Sequence, residues 1–455
     1  MHRSVGVSLR TAIGKGVWAV VLTVGISCIL PQVVRAQYAD QQQQQGNQKL
    51  STNVGNVQIG LYGELIVNLS GSDETVVGGD VPLWAVPSSG NVTFPDGSAG
   101  RVHDFYLTAR QSFIGLRAAP MTTGNWKPSV VVEFDFFGTR PSDTFGTENR
   151  VFNQPRLRIA NFQLSNGNWK FEAGQDKLII APLDPISLSH VGMPLGASAG
   201  DLWGWLPQVR VERTLKFSDK TTGLLQVGVL RPEFGDPRLS DTPTAGTTIE
   251  TSSPGSRSSM PFYQARAAIS HAMNGSTATV GAGGHYGREI LGATTNHIDT
   301  WAFAFDFRVP VQTRLILRGE GYVGSNLVPF QGGVVQGVAA IPNVTPAVPF
   351  TQINKISDAG GWSELTVRVT TDDKNHAYIG FGTDDPKDRN LLPGSTRSKN
   401  SFYWVSYLHK LTNELSVMAE WSNWQFRTRG FAGNIPSTVT QGRANVFNVS
   451  FGYTF

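Results

Sequence analysis

Cysteine and long apolar runs are almost missing from this 455-residue chain. Cys28 is the only cysteine. It lies in an N-terminal segment that we expect to be removed, so a disulfide framework and thiol catalysis are excluded for the mature chain. No run of about 18 apolar residues follows that segment, which excludes a membrane protein built from helices.

The chain also has little net charge. Its 38 Lys and Arg residues face 34 Asp and Glu residues. Four of the bases lie in the first 36 residues, which contain no acid, so removal of that segment leaves 34 bases and 34 acids. A nucleic-acid-binding protein is expected to keep a basic excess, and we therefore predict no nucleic-acid partner.

The N-terminal segment has the pattern of an export signal. Basic residues precede an apolar run at 17–30, Pro31 ends that run, and small side chains occupy the −3 and −1 positions before Gln37. This pattern predicts a cleaved signal peptide at residues 1–36, with a retained membrane anchor as the alternative. Residues 37–56 are rich in Gln and Asn, and we expect them to form a disordered periplasmic tail.

From residue 57 to residue 455 the chain alternates between apolar and polar side chains with a period of two. In the last segment Phe451, Tyr453 and Phe455 alternate with Gly452 and Thr454. Such alternation is typical of a strand whose two faces meet different surroundings. Sixteen segments show it, at approximately 57–69, 103–117, 129–137, 156–164, 169–176, 207–217, 223–230, 262–271, 277–287, 297–309, 313–324, 361–369, 376–382, 401–409, 415–426 and 444–455.

The connections between these segments fall into two groups. Those after even-numbered segments are mostly short, as at 165–168 and 310–312, and those after odd-numbered segments are mostly long, as at 177–206 and 325–360. Short turns on one rim and long loops on the other are typical of an outer-membrane barrel, whose lumen also accepts charged side chains. We predict an all-β, membrane-spanning, antiparallel up-and-down barrel of about 16 strands, and the alternative is a soluble β-sandwich.

Several motifs resemble those of bacterial porins. The first strand contains Leu-Tyr-Gly-Glu at 61–64, and the chain ends in alternating aromatics. Between these ends, the stretches at 109–117, 133–138, 156–158, 173–175 and 207–210 resemble, in this order, the DcaP-like porins. The resemblance implies a homotrimeric, sixteen-stranded channel for small hydrophilic or anionic organic solutes. Residues 37–56 depart from that family because they lack the heptads of its periplasmic coiled coil.

The parity of the strands assigns nine bases and nine acids to the lumen, and we predict that twelve of these residues line the pore and set its selectivity. Rings of charge set the selectivity of pores, and arginine binds carboxylates through a planar fork. We expect Arg156, Arg158 and Arg210, near the base of the third long loop, to favour small anions. The alternative is Arg–Glu pairing between strands, such as Arg158 with Glu172. The full predicted set is Arg110, Glu133, Asp135, Arg156, Arg158, Glu172, Arg210, Arg266, Arg308, Arg314, Arg318 and Arg368.

The third long loop, at 177–206, is too apolar for an external loop. We predict that it folds into the lumen and narrows it, and the alternative is packing against other loops or a neighbouring subunit. Its predicted constriction residues are Asp184, His190, Asp201, Trp203 and Trp205.

Three further expectations concern the partners and chemistry of the chain. Phe451, Tyr453 and Phe455 resemble the C-terminal insertion signal that the barrel-assembly machinery reads, and outer-membrane lipid is the expected surrounding. The histidines of the mature chain are scattered, and no glycine-rich stretch opens a helix. We therefore predict a passive porin that is no enzyme and has no cofactor. A barrel-type lipid hydrolase and an adhesion barrel with a closed lumen are the alternatives.

Overall fold

The computed structural model describes residues 50–86, 92–93, 99–100, 103–121, 124–138, 153–233, 254–290, 297–342, 350–391, 397–429, 431–432, 435–436 and 441–455. The predicted signal peptide at 1–36 and the greater part of the predicted tail lie outside these residues.

Sixteen long strands form one antiparallel sheet that closes on itself. Each strand pairs with the next along the chain, and the first pairs with the last from Glu64 opposite Thr454 to Ser72 opposite Val446. Closure leaves no strand edge unpaired in lipid. The strands are β1 Val57–Ser72, β2 Phe105–Thr108 with Phe113–Pro120, β3 Lys127–Gly138, β4 Gln154–Ser165, β5 Trp169–Lys177, β6 Trp205–Lys216, β7 Thr221–Leu230, β8 Phe262–Met273, β9 Ser276–Ile290, β10 His297–Gln312, β11 Leu315–Ser325, β12 Ser357–Arg368, β13 Asn375–Asp384, β14 Arg397–Lys410, β15 Leu415–Thr428 and β16 Gln441–Thr454.

The predicted barrel and its sixteen segments are confirmed. Alternation places apolar side chains on the outside, as in β16, where Phe447, Phe451 and Tyr453 are exposed while Asn448 and Ser450 are buried. An apolar outer face and a polar inner face are what a barrel in the outer membrane requires. In the described part of the chain, no helix is long and apolar enough to cross a membrane.

Irregularities in β2 and β4 change the parity of the wall. Strand β2 is interrupted at 109–112, where the Ser112 hydroxyl accepts a hydrogen bond from the Ile66 N–H (2.8 Å) and donates one to the Ile66 carbonyl (3.1 Å). The side chain thereby replaces a missing backbone pair. In β4 the register shifts between Leu157 and Ile159, and Ile159 and Asn161 then line the interior cavity although their parity differs from that of Arg158.

The expectation of a disordered tail is wrong for its last residues. Leu50–Val54 form a short strand that pairs with β1 from Leu50 opposite Leu61 to Val54 opposite Val57. Strand β16 and the residue after it, Phe455, pair with β1 only from Gly63 onward. The short strand covers the remaining edge, and an open strand edge in the membrane is unfavourable.

Other elements are short. Two single-turn helices lie at Pro254–Arg257 and Gly332–Val335, with 3-10 turns at Val328–Phe330 and Asp388–Asn390. Two-stranded hairpins pair Val76–Val77 with Trp84–Ala85, Val92–Thr93 with Ala99–Gly100, Val338–Pro342 with Phe350–Lys355, and Phe431–Ala432 with Ile435–Pro436.

Three long connections supply apolar side chains that pack against buried side chains of the wall. They are the first loop at 73–86, the third loop at 178–204 and the sixth loop at 326–337. One cluster joins Ile179 and Ile180 of the third loop to Phe330 of the sixth and to Phe262 of β8. A second cluster joins Val76 and Leu195 to the stacked rings of Phe402, Trp404 and Trp424.

Candidate functional site: the barrel interior

A cavity of about 990 Å³ lies inside the barrel. It extends from Asp373 and Glu414, which lie at the rim with the short turns, to Asp184 and Trp203 of the third loop. We call this space the vestibule. Short turns mark the periplasmic rim of an outer-membrane barrel, so the vestibule lies on the periplasmic side.

The third loop follows buried side chains of the strands around the ring. The Ile179 N–H donates to Gln264 of β8 (2.8 Å), the Leu183 N–H to Glu320 of β11 (2.7 Å), and the Ile186 N–H to Glu364 of β12 (2.8 Å). Further along, the Ser189 hydroxyl lies 2.7 Å from that of Ser450 on β16, and the Gly192 N–H donates to Gln111 (2.7 Å). The strands thus satisfy the backbone groups of an apolar segment that has little hydrogen bonding of its own.

Arg156 and Arg158 of β4 each pair with an acid of β3. Arg156 makes a two-pronged contact with Asp135 (3.0 and 2.6 Å) and also donates to the Gly192 carbonyl of the third loop. The Arg158 Nε lies 3.0 Å from Glu133. Both guanidinium groups lie over the Trp205 ring, at 5.1 and 4.8 Å. Their positive charges are therefore largely offset by neighbouring carboxylates.

Arg210 of β6 is enclosed by three acids. It donates to Glu172 and to Asp176, at 3.0 Å each, and its Nε lies 3.0 Å from Glu212. Its side chain is 1% exposed. The predicted alternative of pairing between strands is what the structure has, but Glu172 pairs with Arg210, whereas Arg158 pairs with Glu133 of β3.

Arg110 and Arg266 are also held by acids. Arg110 pairs with Asp80 of the first loop at 2.5 Å. Arg266 makes a two-pronged contact with Asp306 of β10, at 2.7 Å for both bonds. That guanidinium lies over Gly281, where a Cβ would come within 2.3 Å of it. The glycine-rich stretch of β9 thus makes room for an internal ion pair.

Arg308, Arg318 and Arg368 lie on three consecutive strands, β10 to β12, and all three line the vestibule. Arg308 and Arg318 are directly opposite each other in the ladder. Arg308 donates to the Ser276 hydroxyl and the Thr277 carbonyl, and Arg318 donates to the Asp184 carbonyl.

The assignment of Arg314 to the lumen is wrong. It is exposed in the turn between β10 and β11, because β10 ends at Gln312 and β11 begins at Leu315. Five of the twelve predicted residues line the vestibule: Glu133, Arg158, Arg308, Arg318 and Arg368.

The predicted constriction residues take different positions. Asp184, His190, Trp203 and Trp205 line the vestibule, and the two tryptophans meet edge to face at 4.8 Å. The buried His190 lies 3.3 Å from Glu420 of β15. Asp201 is buried away from the cavity, and this burial, with the nearby Asp184 charge as a second cause, raises the pKa of Asp201 well above its usual value.

Sequence reasoning missed the residues that hold the sixth loop. Asp358 of β12 accepts a hydrogen bond from the Gly333 N–H (2.7 Å), and Asp384 of β13 accepts one from the Val334 N–H (2.8 Å). Both carboxylates are buried. Their inward parity next to a long loop was the available signal, but parity alone does not reveal which backbone groups a carboxylate will bind.

The described residues were also compared with the ligand sets of metal sites. Among these residues, no group of three or more His, Cys, Asp or Glu side chains could hold a metal ion.

Comparison with known proteins supports the fold through structure alone. No family model and no curated protein sequence matches the chain. The outer-membrane channel DcaP of Acinetobacter baumannii aligns over 89% of this chain and 99% of its own, with 16% identity and a TM-score of 0.61. The anion-selective porin from Comamonas acidovorans aligns over 88% of this chain and 100% of its own, with 11% identity and a TM-score of 0.51. The chain therefore has the fold of outer-membrane porins, as its sequence motifs predicted, and is an outer-membrane β-barrel.

Proposed function

We propose that the chain is a passive porin that favours small organic anions, such as carboxylates. The observation that carries the anion preference is the row of Arg308, Arg318 and Arg368 along the vestibule. Arg318 is opposite both Arg308 of β10 and Glu364 of β12 in the ladder. Like charges directly opposite each other in a sheet are unfavourable, so a passing anion would offset part of the repulsion between Arg308 and Arg318. The planar guanidinium group of arginine binds the carboxylate groups of such solutes through two parallel hydrogen bonds.

The arrangement of charge across the vestibule supports this proposal. Eight basic and seven acidic residues line it, so position and not net charge sets any preference. Glu133 of β3 and Arg318 of β11 are eight strands apart in a ring of sixteen, and so lie on opposite walls. Arg158 is paired with Glu133, and Arg368 lies 3.7 Å from Asp373 at the rim, while Arg308 and Arg318 lie side by side on the wall opposite Glu133.

Single-channel recording in a salt gradient tests the proposal. The double variant R308Q/R318Q should lower the anion-to-cation permeability ratio by a factor of roughly two to five, the effect of ~0.5–1 kcal/mol of screened electrostatic energy. Block by small dicarboxylates should weaken in parallel. The matched control is R213Q, because Arg213 lies over the Trp169 ring, away from the vestibule.

Two outcomes would count against the proposal in different ways. An unchanged permeability ratio in R308Q/R318Q would remove the anion preference but leave the porin. An absence of conductance in the wild-type protein would remove the porin and favour a barrel with a closed lumen.

We also propose a homotrimer in outer-membrane lipid. Phe105, Leu107 and Phe162, on the outer face of β2 and β4, are exposed by 71%, 61% and 69%. Such large apolar side chains suit either lipid or a second subunit. Chemical cross-linking of the detergent-solubilised protein should yield a trimer, and a monomer alone would contradict this part of the proposal.

A further inference from the structure

A row of basic side chains lies on the outer face of the barrel at the end away from the short turns. Lys399 of β14 is directly opposite Arg427 of β15, and Arg427 is the diagonal neighbour of Arg443 on β16, because Gln425 pairs with Arg443. We call Lys399, Arg427 and Arg443 the rim cations. Arg427 and Arg443 are exposed.

The height of the rim cations follows from the strands themselves. The outward side chains of β15 are apolar from Leu415 to Trp421, and they are then Asn423, Gln425 and Arg427. A transmembrane strand takes about 9–11 residues, so Arg427, the thirteenth residue of its strand, lies beyond the hydrocarbon. The rim cations therefore lie at the level of the lipid headgroups of the outer leaflet.

Polar side chains below the rim cations are already satisfied. Asn423 donates to Asn445 (3.0 Å), and Gln425 donates to Asn423 (3.0 Å). Asn445 in turn donates to Asp73 through both its backbone and its side chain, at 2.6 and 2.5 Å. The Asp73 carboxylate therefore accepts its hydrogen bonds from Asn445 and does not compensate the charge of the rim cations.

Acids compensate only part of the row. Lys399 pairs with Asp385 at 2.6 Å. Within the residues that the structure describes, neither Arg427 nor Arg443 has a carboxylate in ion-pair range. By contrast, Arg288, which lies near the same end on β9, pairs with Asp299 of β10 at 2.8 Å. Two neighbouring guanidinium groups, for which the described part of the chain supplies no acidic partner, thus face the lipid headgroups.

We infer that the rim cations bind the phosphate groups of a phosphorylated glycolipid in the outer leaflet. Two neighbouring guanidinium groups recognise phosphate oxygens through charge-assisted hydrogen bonds. The apolar outer face below them, with Trp421 and Phe447 exposed, accommodates the acyl chains of the same molecule. One lipid could therefore satisfy both surfaces at once, which neither a free anion nor a neutral lipid does.

The test is native mass spectrometry of the purified full chain in detergent, titrated with lipid A, a bisphosphorylated glucosamine-disaccharide lipid. R427Q/R443Q should lower the affinity by about tenfold or more, since each basic residue near an anionic surface contributes roughly a fivefold factor. R288Q is the matched control, because Arg288 is already paired, and its affinity should equal that of the wild-type protein. Retarded migration before heating on a gel shows that each variant is folded.

Three further results would overturn the inference. Dephosphorylated lipid A binding as tightly as lipid A would show that only the acyl chains matter. Inorganic phosphate competing at equal concentration would show that a free anion is the ligand. Loss of the oligomer in R427Q/R443Q with unchanged lipid affinity would show that the row is a contact between subunits.

Discussion

At the scale of single residues, the interior charges differ in how completely they are enclosed. Arg210 contacts three carboxylates and is almost fully buried, whereas the Arg156 side chain is 29% exposed. Removal of one partner from a buried ion cluster leaves uncompensated charge, which costs about 3–5 kcal/mol. Arg210 is therefore a residue that stabilises the wall more than one that selects solutes.

We expect R210Q to lower the free energy of unfolding by about 3 kcal/mol. The measurement is urea unfolding in detergent, followed by tryptophan fluorescence. R213Q is the control from the same strand, because Arg213 loses only a contact with the Trp169 ring, worth about 0.5–1 kcal/mol. Equal losses in the two variants would contradict the role of the carboxylate cluster.

The faces of these residues were predictable from the sequence, but their partners were not. Parity placed Arg158 and Arg210 on the inner face, because alternation fixes the face of each strand residue. It could not select Glu133 over Glu172 for Arg158, since both neighbouring strands, β3 and β5, carry acids on the inner face. The choice of partner depends on the strand register and on the register shift between Leu157 and Ile159. Neither can be predicted from the local sequence pattern.

At the scale of elements, the sixth loop has an unusual backbone. Val334 and Val335 have φ of 51° and 58°, a region that β-branched residues rarely adopt. Each such residue costs on the order of 1–3 kcal/mol. Arg397 holds this turn by donating to the Val334 carbonyl (2.7 Å) and the Val335 carbonyl (2.8 Å), opposite the carboxylates of Asp358 and Asp384.

We predict that R397A releases the sixth loop from the wall. The expected result is faster proteolysis within 331–336 and larger open-channel current fluctuations, because the strained turn loses two of its anchoring hydrogen bonds. R429A is the matched control, since Arg429 also donates to a loop carbonyl, that of Leu391 (2.5 Å). Unchanged proteolysis and current noise in R397A would show that the apolar cluster around Phe330 holds the loop by itself.

The elements also show where sequence patterns end. The sixteen segments were predictable because the alternation persists over whole strands. The strand at Leu50–Val54 was not, because it is only five residues long and all five are exposed. This strand pairs with the part of β1 that β16 does not reach. The need for it comes from how the barrel closes, which the sequence of the segment itself does not show.

At the scale of the whole molecule, the barrel closes at its last residue. The Phe455 N–H donates to the Gly63 carbonyl (3.0 Å), and the Gly63 N–H donates to the Phe455 carbonyl (3.2 Å). A Cβ at Gly63 would come within 2.5 Å of the Phe113 carbonyl and 2.8 Å of the Phe455 ring. Glycine at this position therefore lets the terminal ring cover the junction between β1, β2 and β16.

We predict that deletion of Phe455 lowers the amount of folded barrel in the outer membrane several-fold, while F455L lowers it less. The deletion removes both backbone bonds and the ring, whereas F455L keeps the bonds. Heat-modifiable gel migration of outer-membrane fractions measures the folded amount, and V449A is the control for an outward side chain of the same strand.

Refolding in detergent separates closure from recognition by the barrel-assembly machinery. If closure is the main role of Phe455, the deletion variant should also refold poorly without any machinery, because the β1 edge at Gly63 stays unpaired. If the variant refolds normally in detergent but fails in cells, the terminal aromatics act as an insertion signal. Normal assembly in both settings would contradict both roles of Phe455. It would mean that the barrel is stable with an unpaired β1 edge at Gly63, although unpaired backbone groups are unfavourable in the bilayer.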